Sequence, residues 1–219
     1  MAMSDGYQKL RDAIISGELA PNTRLVEIDV STAYDMSRGA VRNALIRLEQ
    51  EGLVIREPFR SARVRRVSDE EAVQILQARA VLEGLAARQA AERIDEQGAE
   101  RLQGVLAEHG ARLEAGDLLG TSDANARLHE LILELSGHST AVRLIHALNS
   151  QTVRYQYRTI LIPGRPAESH AEHAAIIDAI VHRHPDEAEQ TMRAHLFNVA
   201  KALQQVPSTS RAEAATAAL

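Results

Sequence analysis

The stretch that decides the fold is MSRGAVRNALIRLEQEGLVI, residues 36–55. Within it, Val41, Leu45 and Leu48 recur at the spacing of one helical face. This periodicity predicts a helix over residues 38–51. Because only one face of that helix is apolar, we expect it to pack against neighbouring elements of a small domain.

The residues on either side of this helix predict how it begins and ends. Ser37 can cap the first turn, because its hydroxyl can accept a hydrogen bond from a backbone N–H. Gly52 ends the helix, since glycine readily adopts the left-handed conformation that follows a helix. On the N-terminal side, two further helices are predicted over residues 7–15 and 27–33.

Two short strands are predicted after the third helix. They cover residues 53–56 and 62–65, and residues 57–61 connect them. Three helices followed by a β-hairpin are the layout of a winged helix-turn-helix. We therefore assign residues 1–67 to a domain of this type.

Nearly all of the chain after residue 68 is predicted to be helical. Aromatic residues make up only 3% of the sequence, and good helix formers dominate it. Six amphipathic helices are expected at 69–94, 96–115, 117–136, 138–161, 167–184 and 186–204. Such helices bury their apolar faces in a bundle. The expected fold class is thus mainly α, a winged helix-turn-helix followed by an all-helical bundle over residues 68–204, with residues 205–219 as a disordered tail.

The composition excludes several kinds of protein. The 219 residues include no Cys, which rules out disulfides and thiolate metal sites. No apolar run approaches the roughly 18 residues that span a bilayer, and the N-terminus lacks the apolar stretch of a signal peptide. These features favour a cytoplasmic protein without a membrane partner.

The charge distribution favours a nucleic-acid surface near the N-terminus. The net charge is −5, yet residues 38–66 contain eight Arg against three Glu. A basic segment on an otherwise acidic chain is typical of a protein that binds nucleic acid. A solvated basic face is the alternative reading.

In a helix-turn-helix, the N-terminal residues of the second helix reach base edges in the major groove. Arg38 and Arg42 lie four residues apart and share a face, and each guanidinium can contact guanine O6 and N7. Gly39 is small and permits close approach. Further predicted DNA contacts, to phosphates or the minor groove, are Ser37, Arg47, Arg60, Ser61 and Arg63.

Four segments of the N-terminal domain resemble the GntR family of bacterial regulators. They are LRDAIISG (10–17), LAPNTRL (19–25), MSRGAVRNAL (36–45) and RLEQEGLV (47–54). The family usually has Thr-Pro where this chain has Gly39-Ala40, and Glu where it has Asn43. These departures leave the fold expectation intact and the operator sequence open.

The C-terminal part resembles the ligand-binding FCD domain of the FadR-like branch of that family. The resemblance lies in RAVLE (79–83), NARLH (125–129), SHAEH (169–173) and MRAHL (192–196). Many members hold a metal with one Asp and three His. Carried over by position, these ligands are Asn125, His129, His173 and His195.

The residue types are compatible with such a metal site. Asn125 and His129 are one helical turn apart, and a divalent ion explains why imidazoles meet in an apolar bundle. Zn, Ni or Mn would suit these ligands. The alternative is three separate His residues, each with its own hydrogen bonds. His170 is expected to be exposed.

The resemblance also implies a small carboxylate effector. Arg79, Arg154 and Arg158 are the candidate contacts, because a guanidinium suits a carboxylate. Arg79 has an alternative role in an ion pair with Glu83, four residues on. For Arg154 and Arg158 the alternative is a solvated helix face.

These observations predict a transcription regulator, expected to be a repressor. It would bind a double-stranded operator as a homodimer, and a small molecule would control the binding. One rival is a metal-dependent hydrolase, although His129-Glu130 does not continue as HExxH because residue 133 is Leu. A DNA-architectural protein with an inert helical domain is a second rival.

Overall fold

The computed structural model describes residues 3–56 and 61–205, with side chains described for 6–56, 61–152 and 159–205. The predicted connection at residues 57–60 and the tail at 206–219 lie outside these ranges. The chain forms two compact units. The first is Met1–Ser68 with Ala147–Arg154, and the second is Asp69–His146 with Tyr155–Leu219.

The first unit contains the predicted winged helix-turn-helix. Its elements are α1 (Met3–Ser16), β1 (Arg24–Leu25), α2 (Glu27–Ala33), α3 (Arg38–Gln50), β2 (Val54–Ile55) and β3 (Ala62–Val64). The helix and strand types agree with the sequence-based expectation. Helix α3 begins as predicted, because the Ser37 side chain accepts a hydrogen bond from the backbone N–H of Ala40 at 3.2 Å. Gly52 follows the helix with a φ of +71°.

Strand β1 was not predicted from the sequence. It pairs with β3, which also pairs with β2, so the order of the antiparallel sheet is β1-β3-β2. Two residues are too few to display the alternation by which a strand is recognised. Only the pairing of Arg24 with Arg63 and of Leu25 with Ala62 defines β1.

The core of this unit is formed by apolar side chains from all three helices and the sheet. Leu10, Val41 and Leu48 are fully enclosed, and Val64 closes the core from the sheet. The apolar stripe of α3 thus faces inward, as its periodicity predicts. Its polar face, which includes Arg38 and Arg42, is exposed.

We expect Leu48→Ala to destabilise the N-terminal unit by about 2–5 kcal/mol, because a fully buried leucine leaves a cavity when truncated. Amide hydrogen exchange should accelerate across α1 to β3 and stay unchanged in the second unit. Ile46→Ala is the matched control, because Ile46 lies on the same helix and is 39% exposed. Equal acceleration by both variants would show that the inward face of α3 is wrongly assigned.

Over the residues that the structure describes, the second unit is the predicted bundle of six helices. They are α4 (Asp69–Arg93), α5 (Glu96–Glu114), α6 (Leu118–Ser136), α7 (Ser139–Ile160), α8 (Arg165–Val181) and α9 (Pro185–Gln205). Helix α7 also supplies residues 147–154 to the first unit. Helix α4 packs along α9 and against α6, while α8 packs against α5 and α9. This packing brings α6, α8 and α9 around one interior.

Helix α8 begins two residues earlier than predicted. The predicted helix begins at residue 167, after Pro163-Gly164-Arg165-Pro166, whereas the observed helix begins at Arg165. Gly164 takes a left-handed φ of +81° before it, and Pro166 lies in the first turn. Proline is tolerated there because the first backbone N–H groups have no partner within the helix. As a result, Arg165 is a buried helical residue.

Within the described residues, none of the helices combines the length and apolar character needed to cross a membrane.

Candidate metal centre and DNA interface

Three of the predicted metal ligands come together inside the bundle. His129 lies on α6, His173 on α8 and His195 on α9, and all three are buried. One nitrogen from each ring lies within 4.8 Å of the others. The rings of His173 and His195 are closest, with centroids 4.4 Å apart. These residues are far apart in the chain, so only helix packing brings them together.

Two of these imidazoles are oriented by carboxylates. Nδ1 of His129 lies 2.7 Å from Oε2 of Glu83, and Nδ1 of His195 lies 2.7 Å from Oε2 of Glu172. A carboxylate that holds Nδ1–H leaves Nε2 as the lone-pair donor. This is the arrangement by which proteins orient metal-ligating histidines.

His173 lacks such a partner. Both of its ring nitrogens are buried, and neither has a hydrogen-bond partner within the described structure. A buried polar atom without a partner costs about 1–3 kcal/mol, so native structures seldom leave one unsatisfied. A metal ion would satisfy one of the two nitrogens. The donor set therefore fits a divalent ion.

Burial keeps two of the three histidines neutral at physiological pH. It lowers the pKa of His195 to about 4, although its hydrogen bond to Glu172 acts in the opposite direction. Burial also lowers the pKa of His173 well below its usual range, and the neighbouring His195 and His129 add to the effect. Arg165 lowers both pKa values slightly. Neutral imidazole is the form that ligates a metal.

The two orienting carboxylates are ionised. Burial alone would raise the pKa of Glu83, but Arg79 and His129 outweigh burial and hold it at about 2. Glu172 is likewise held at about 2, because hydrogen bonds from His195 and Arg165 outweigh its burial. Two negative charges therefore lie directly behind the histidines. They would strengthen the imidazoles as donors to a cation.

Asn125 lies one helical turn before His129 on α6 and is half-buried. Residues four apart on a helix share a face, so the amide is on the His129 side of α6. Its role as a fourth ligand stays a prediction.

His109 and His170 extend the cluster in a way that the sequence did not indicate. His109, on α5, is buried, and its ring meets that of His173 edge-on at 5.4 Å. Its Nδ1 lies 3.0 Å from Nδ1 of His170. The prediction that His170 is exposed was wrong, because its half-buried ring packs against Gly110, which has no side chain to block it. The spacing of His109 seven residues after the buried Leu102 was the one available signal.

Of the three predicted effector contacts, Arg79 forms the ion pair with Glu83 that the sequence offered as its alternative role. Its Nε donates to Oε1 of Glu83 at 2.7 Å, and both side chains are buried. Because Glu83 also binds Nδ1 of His129, Arg79 helps to fix the position of that carboxylate and, through it, of the imidazole. Arg154 and Arg158 lie on α7, but their side chains are outside the described part of the chain. Effector contact by all three stays a prediction.

Arg165 is a site residue that sequence reasoning missed. It is 5% exposed, and its Nη2 donates to Oε2 of Glu172 at 2.7 Å. That oxygen also binds His195. Arg165 lies before the predicted start of α8 at residue 167, and only the earlier start of that helix makes it a buried helical residue.

The predicted DNA-reading end of α3 is exposed. Arg38 and Gly39 face outward, and a side chain built on Gly39 would meet open space. Ser37 is exposed too, although its hydroxyl serves as the helix cap. This end of α3 is therefore sterically open to a duplex.

Two arginines of α3 have partners within the unit. Nε of Arg42 donates to the two carboxylate oxygens of Glu27 at 3.0 and 2.8 Å. This pair is solvent-exposed, so exchanging it for a base contact costs little. Arg47 lies over the ring of Tyr7, 3.6 Å from its centre, which orients its guanidinium.

The sheet adds an arginine that the sequence did not single out. Arg24 of β1 lies directly opposite Arg63 of β3, and both are exposed. Nε of Arg24 donates to the Ser61 hydroxyl. Two exposed arginines side by side present positive charge that suits a DNA phosphate. Arg60 lies outside the described residues.

Comparison with known families and proteins identifies both halves of the chain. Residues 4–64 match the family described as bacterial regulatory proteins, gntR family, and residues 74–198 match the FCD domain. The HTH-type transcriptional repressor RspR of Escherichia coli K12 is 27% identical over 200 residues, covering 91% of this chain and 88% of RspR. The repressor GlaR of the same strain is 28% identical over 212 residues, covering 92% and 95%.

Solved structures show the same fold. E. coli McbR/YncC superposes with a TM-score of 0.73 at 22% identity, covering 94% of this chain and 98% of that one. A putative GntR regulator from Rhodococcus sp. RHA1 superposes with a TM-score of 0.68 at 23% identity, covering 94% and 99%. The architecture of helices and wing is therefore shared with these proteins.

Proposed function

Because the chain belongs to the GntR family of DNA-binding transcription regulators and carries the FCD ligand-binding domain, we propose that it is a metal-dependent, carboxylate-responsive repressor. The family consists of regulators rather than enzymes, which confirms the regulator prediction over the hydrolase. Two E. coli relatives are named repressors, which supports repression here. A regulator that reads an operator works in the cytoplasm, with the bacterial chromosome.

The observation that carries the metal part of the proposal is His173. It is buried with two unsatisfied nitrogens, beside His129 and His195, whose Nδ1 atoms are already held by carboxylates. Three separately satisfied histidines, the alternative reading, would not leave His173 in this state. His129, His173 and His195, together with the amide oxygen of Asn125, would hold the ion.

The chemistry of these donors favours Zn, Ni or Mn. Imidazoles suit Zn and Ni, whereas Mn prefers oxygen ligands such as the amide oxygen of Asn125, which contributes no charge. The side chains of Glu83 and Glu172 neutralise Arg79 and Arg165, so a bound divalent ion leaves the pocket positive. When bound, the ion would attract an anionic ligand and supply it with a coordination position.

The proposal is tested by measuring how the metal and candidate carboxylates change the binding of the chain to DNA. A binding site is first selected from a random duplex library with the full chain loaded with Zn²⁺. Fluorescence anisotropy then follows release of that duplex as simple carboxylates are added. We expect sequence-selective binding and release by at least one carboxylate. Non-selective DNA binding, or selective binding that no carboxylate and no metal chelator alters, would contradict the proposal.

We expect Asn125→Asp to tighten Zn²⁺ binding by about tenfold, because it adds a negative charge next to the cation. The same substitution should weaken the binding of acetate, because it cancels part of the positive charge that attracts it. Isothermal titration of each ligand measures the two effects separately. Asn125→Ala is the control and should weaken the metal. Unchanged metal affinity in both variants would remove Asn125 from the site.

We also expect a homodimer that binds a near-palindromic operator. One recognition helix covers too few base pairs for genomic specificity, and twofold protein symmetry matches twofold DNA symmetry. Light scattering should give about twice the 24.0 kDa mass of the chain. A monomer at micromolar concentration that binds half of the selected site as tightly as the whole would contradict this expectation.

A further inference from the structure

Of the two terminal nitrogens of Arg165, one has a hydrogen-bond partner among the described residues and the other has none. Its Nη2 is bonded to Glu172, but its Nη1 is buried and has no hydrogen-bond partner in the described structure. A buried donor on a charged group is costly to leave unpaired. Since the side chain is 5% exposed, bulk water does not readily satisfy it. Nη1 therefore needs a hydrogen-bond acceptor that the described side chains around it do not provide.

The neighbouring carboxylates do not supply that acceptor. The Oε2 atom of Glu168 is 3.9 Å from Nη1, too far for a hydrogen bond, and the Glu168 side chain is 70% exposed. Both oxygens of Glu172 are already engaged. Oε2 accepts from Arg165 Nη2 and binds His195, while Oε1 accepts from Asn198 at 2.9 Å.

The unsatisfied nitrogen lies beside the histidine cluster. Arg165 and His195 share a single oxygen of Glu172, and His173 is the next residue along α8. Among the described residues, Arg79 has no buried nitrogen that lacks a hydrogen-bond partner, and its Nε holds the Glu83 carboxylate. Arg165 is thus the arginine of this cluster with a donor to offer a ligand.

We propose that Arg165 binds a carboxylate oxygen of the effector through Nη1 while Nη2 holds Glu172 in place. The proposal rests on the proposed function, because it names the residue that recognises the effector's acid group. A planar guanidinium carries five N–H donors on three nitrogens, so one arginine can bind Glu172 through Nη2 and a ligand through Nη1. The ligand class is a small molecule with a free carboxylate that reaches the histidine cluster.

The test uses the full chain saturated with Zn²⁺, without DNA, and acetate as the probe. Acetamide, which has nearly the same shape but no charge, is the matched ligand control. Apparent affinities come from the melting temperature as a function of ligand concentration at constant ionic strength. For the wild-type chain, we expect acetate to raise the melting temperature and acetamide to leave it unchanged.

Arg165→Gln should weaken acetate binding about 10- to 100-fold, the loss expected for a charged hydrogen bond. Arg165→Lys keeps a positive charge near Glu172 and protects the fold, but it offers only one ammonium group. It should weaken acetate by a similar factor. Arg101→Gln, which removes an exposed arginine paired with Glu134, should leave acetate binding unchanged.

The alternative is that Arg165 only positions Glu172 and a buried water satisfies Nη1. In that case Arg165→Gln would lower the Zn²⁺ affinity, while its acetate affinity at saturating Zn²⁺ would equal that of the wild-type chain. That result would overturn the proposal and leave the proposed function standing. A wild-type chain that binds operator and metal but no carboxylate would overturn both this proposal and the carboxylate effector. Failure to select any operator would count against the proposed function alone, because acetate binding is measured without DNA.

Discussion

We expect His173→Ala to abolish metal binding, with near-stoichiometric Zn²⁺ in the purified wild-type chain and less than about a tenth of that in the variant. Removing one of three converging imidazoles leaves too few ligands to hold the ion against water. Metal added to the metal-free wild-type chain should raise its melting temperature by about 5–10 °C, the shift expected when a ligand binds only the folded state. The variant should show no shift. Elemental analysis and calorimetry measure the two effects.

The metal-free form of the variant gives a second readout. Because His173 carries two unsatisfied buried nitrogens, its removal should cost the metal-free protein less stability than truncation of a well-paired buried residue. His146→Ala is the matched control, since its side chain is 47% exposed and bound to Glu130. That control should keep its metal. A His173→Ala chain that still binds one Zn²⁺ per subunit would end the metal assignment.

The orienting carboxylates provide a graded version of the same experiment. Glu83→Gln keeps the size of the side chain but loses the charge behind His129. We expect it to lower Zn²⁺ affinity about 10- to 100-fold, which is typical of residues that orient a metal ligand. Loss of the fold, seen as a broadened melting transition without metal, would instead assign Glu83 to the buried ion pair with Arg79.

Arg38→Ala and Arg42→Ala should each remove discrimination at one base position of the operator. A bidentate arginine–guanine contact is worth about 1–3 kcal/mol, so the preference for that base should fall about 5- to 150-fold. Competition binding with single-base operator variants measures the effect. Arg42 must first exchange its pair with Glu27, which is exposed and therefore inexpensive to break.

Arginines of the sheet are the matched comparison. Arg24→Ala and Arg63→Ala should weaken all duplexes to a similar degree and flatten the dependence of affinity on salt, because phosphate contacts carry no sequence information. Glu27→Gln should raise affinity slightly, since it removes a negative charge beside Arg42. Salt-dependent but sequence-independent losses from Arg38 and Arg42 as well would refute their assignment to base reading.

The sequence by itself determined the helices, strands β2 and β3, and the order in which they follow one another. The spacing of Val41, Leu45 and Leu48 predicts α3, and glycines at 52 and 137 mark helix ends, because these signals act within a few residues along the chain. Strand β1 could not be predicted in this way, because it has two residues and is defined only by its pairing with β3. The start of α8 was predicted two residues too late, because a proline can either interrupt a helix or lie in its first turn, and the local sequence does not distinguish the two.

The tertiary structure alone decided how the site is built. The motifs named His129, His173 and His195, but their separation in the chain says nothing about which nitrogen faces inward. That choice depends on Glu83 and Glu172, which come from different parts of the bundle. The contact of His109 with His170 and the unpaired Nη1 of Arg165 likewise result from packing between helices. Periodicity reports which face of a helix is buried, whereas the partner of a buried polar atom is set by packing between helices distant in sequence, and no local pattern records it.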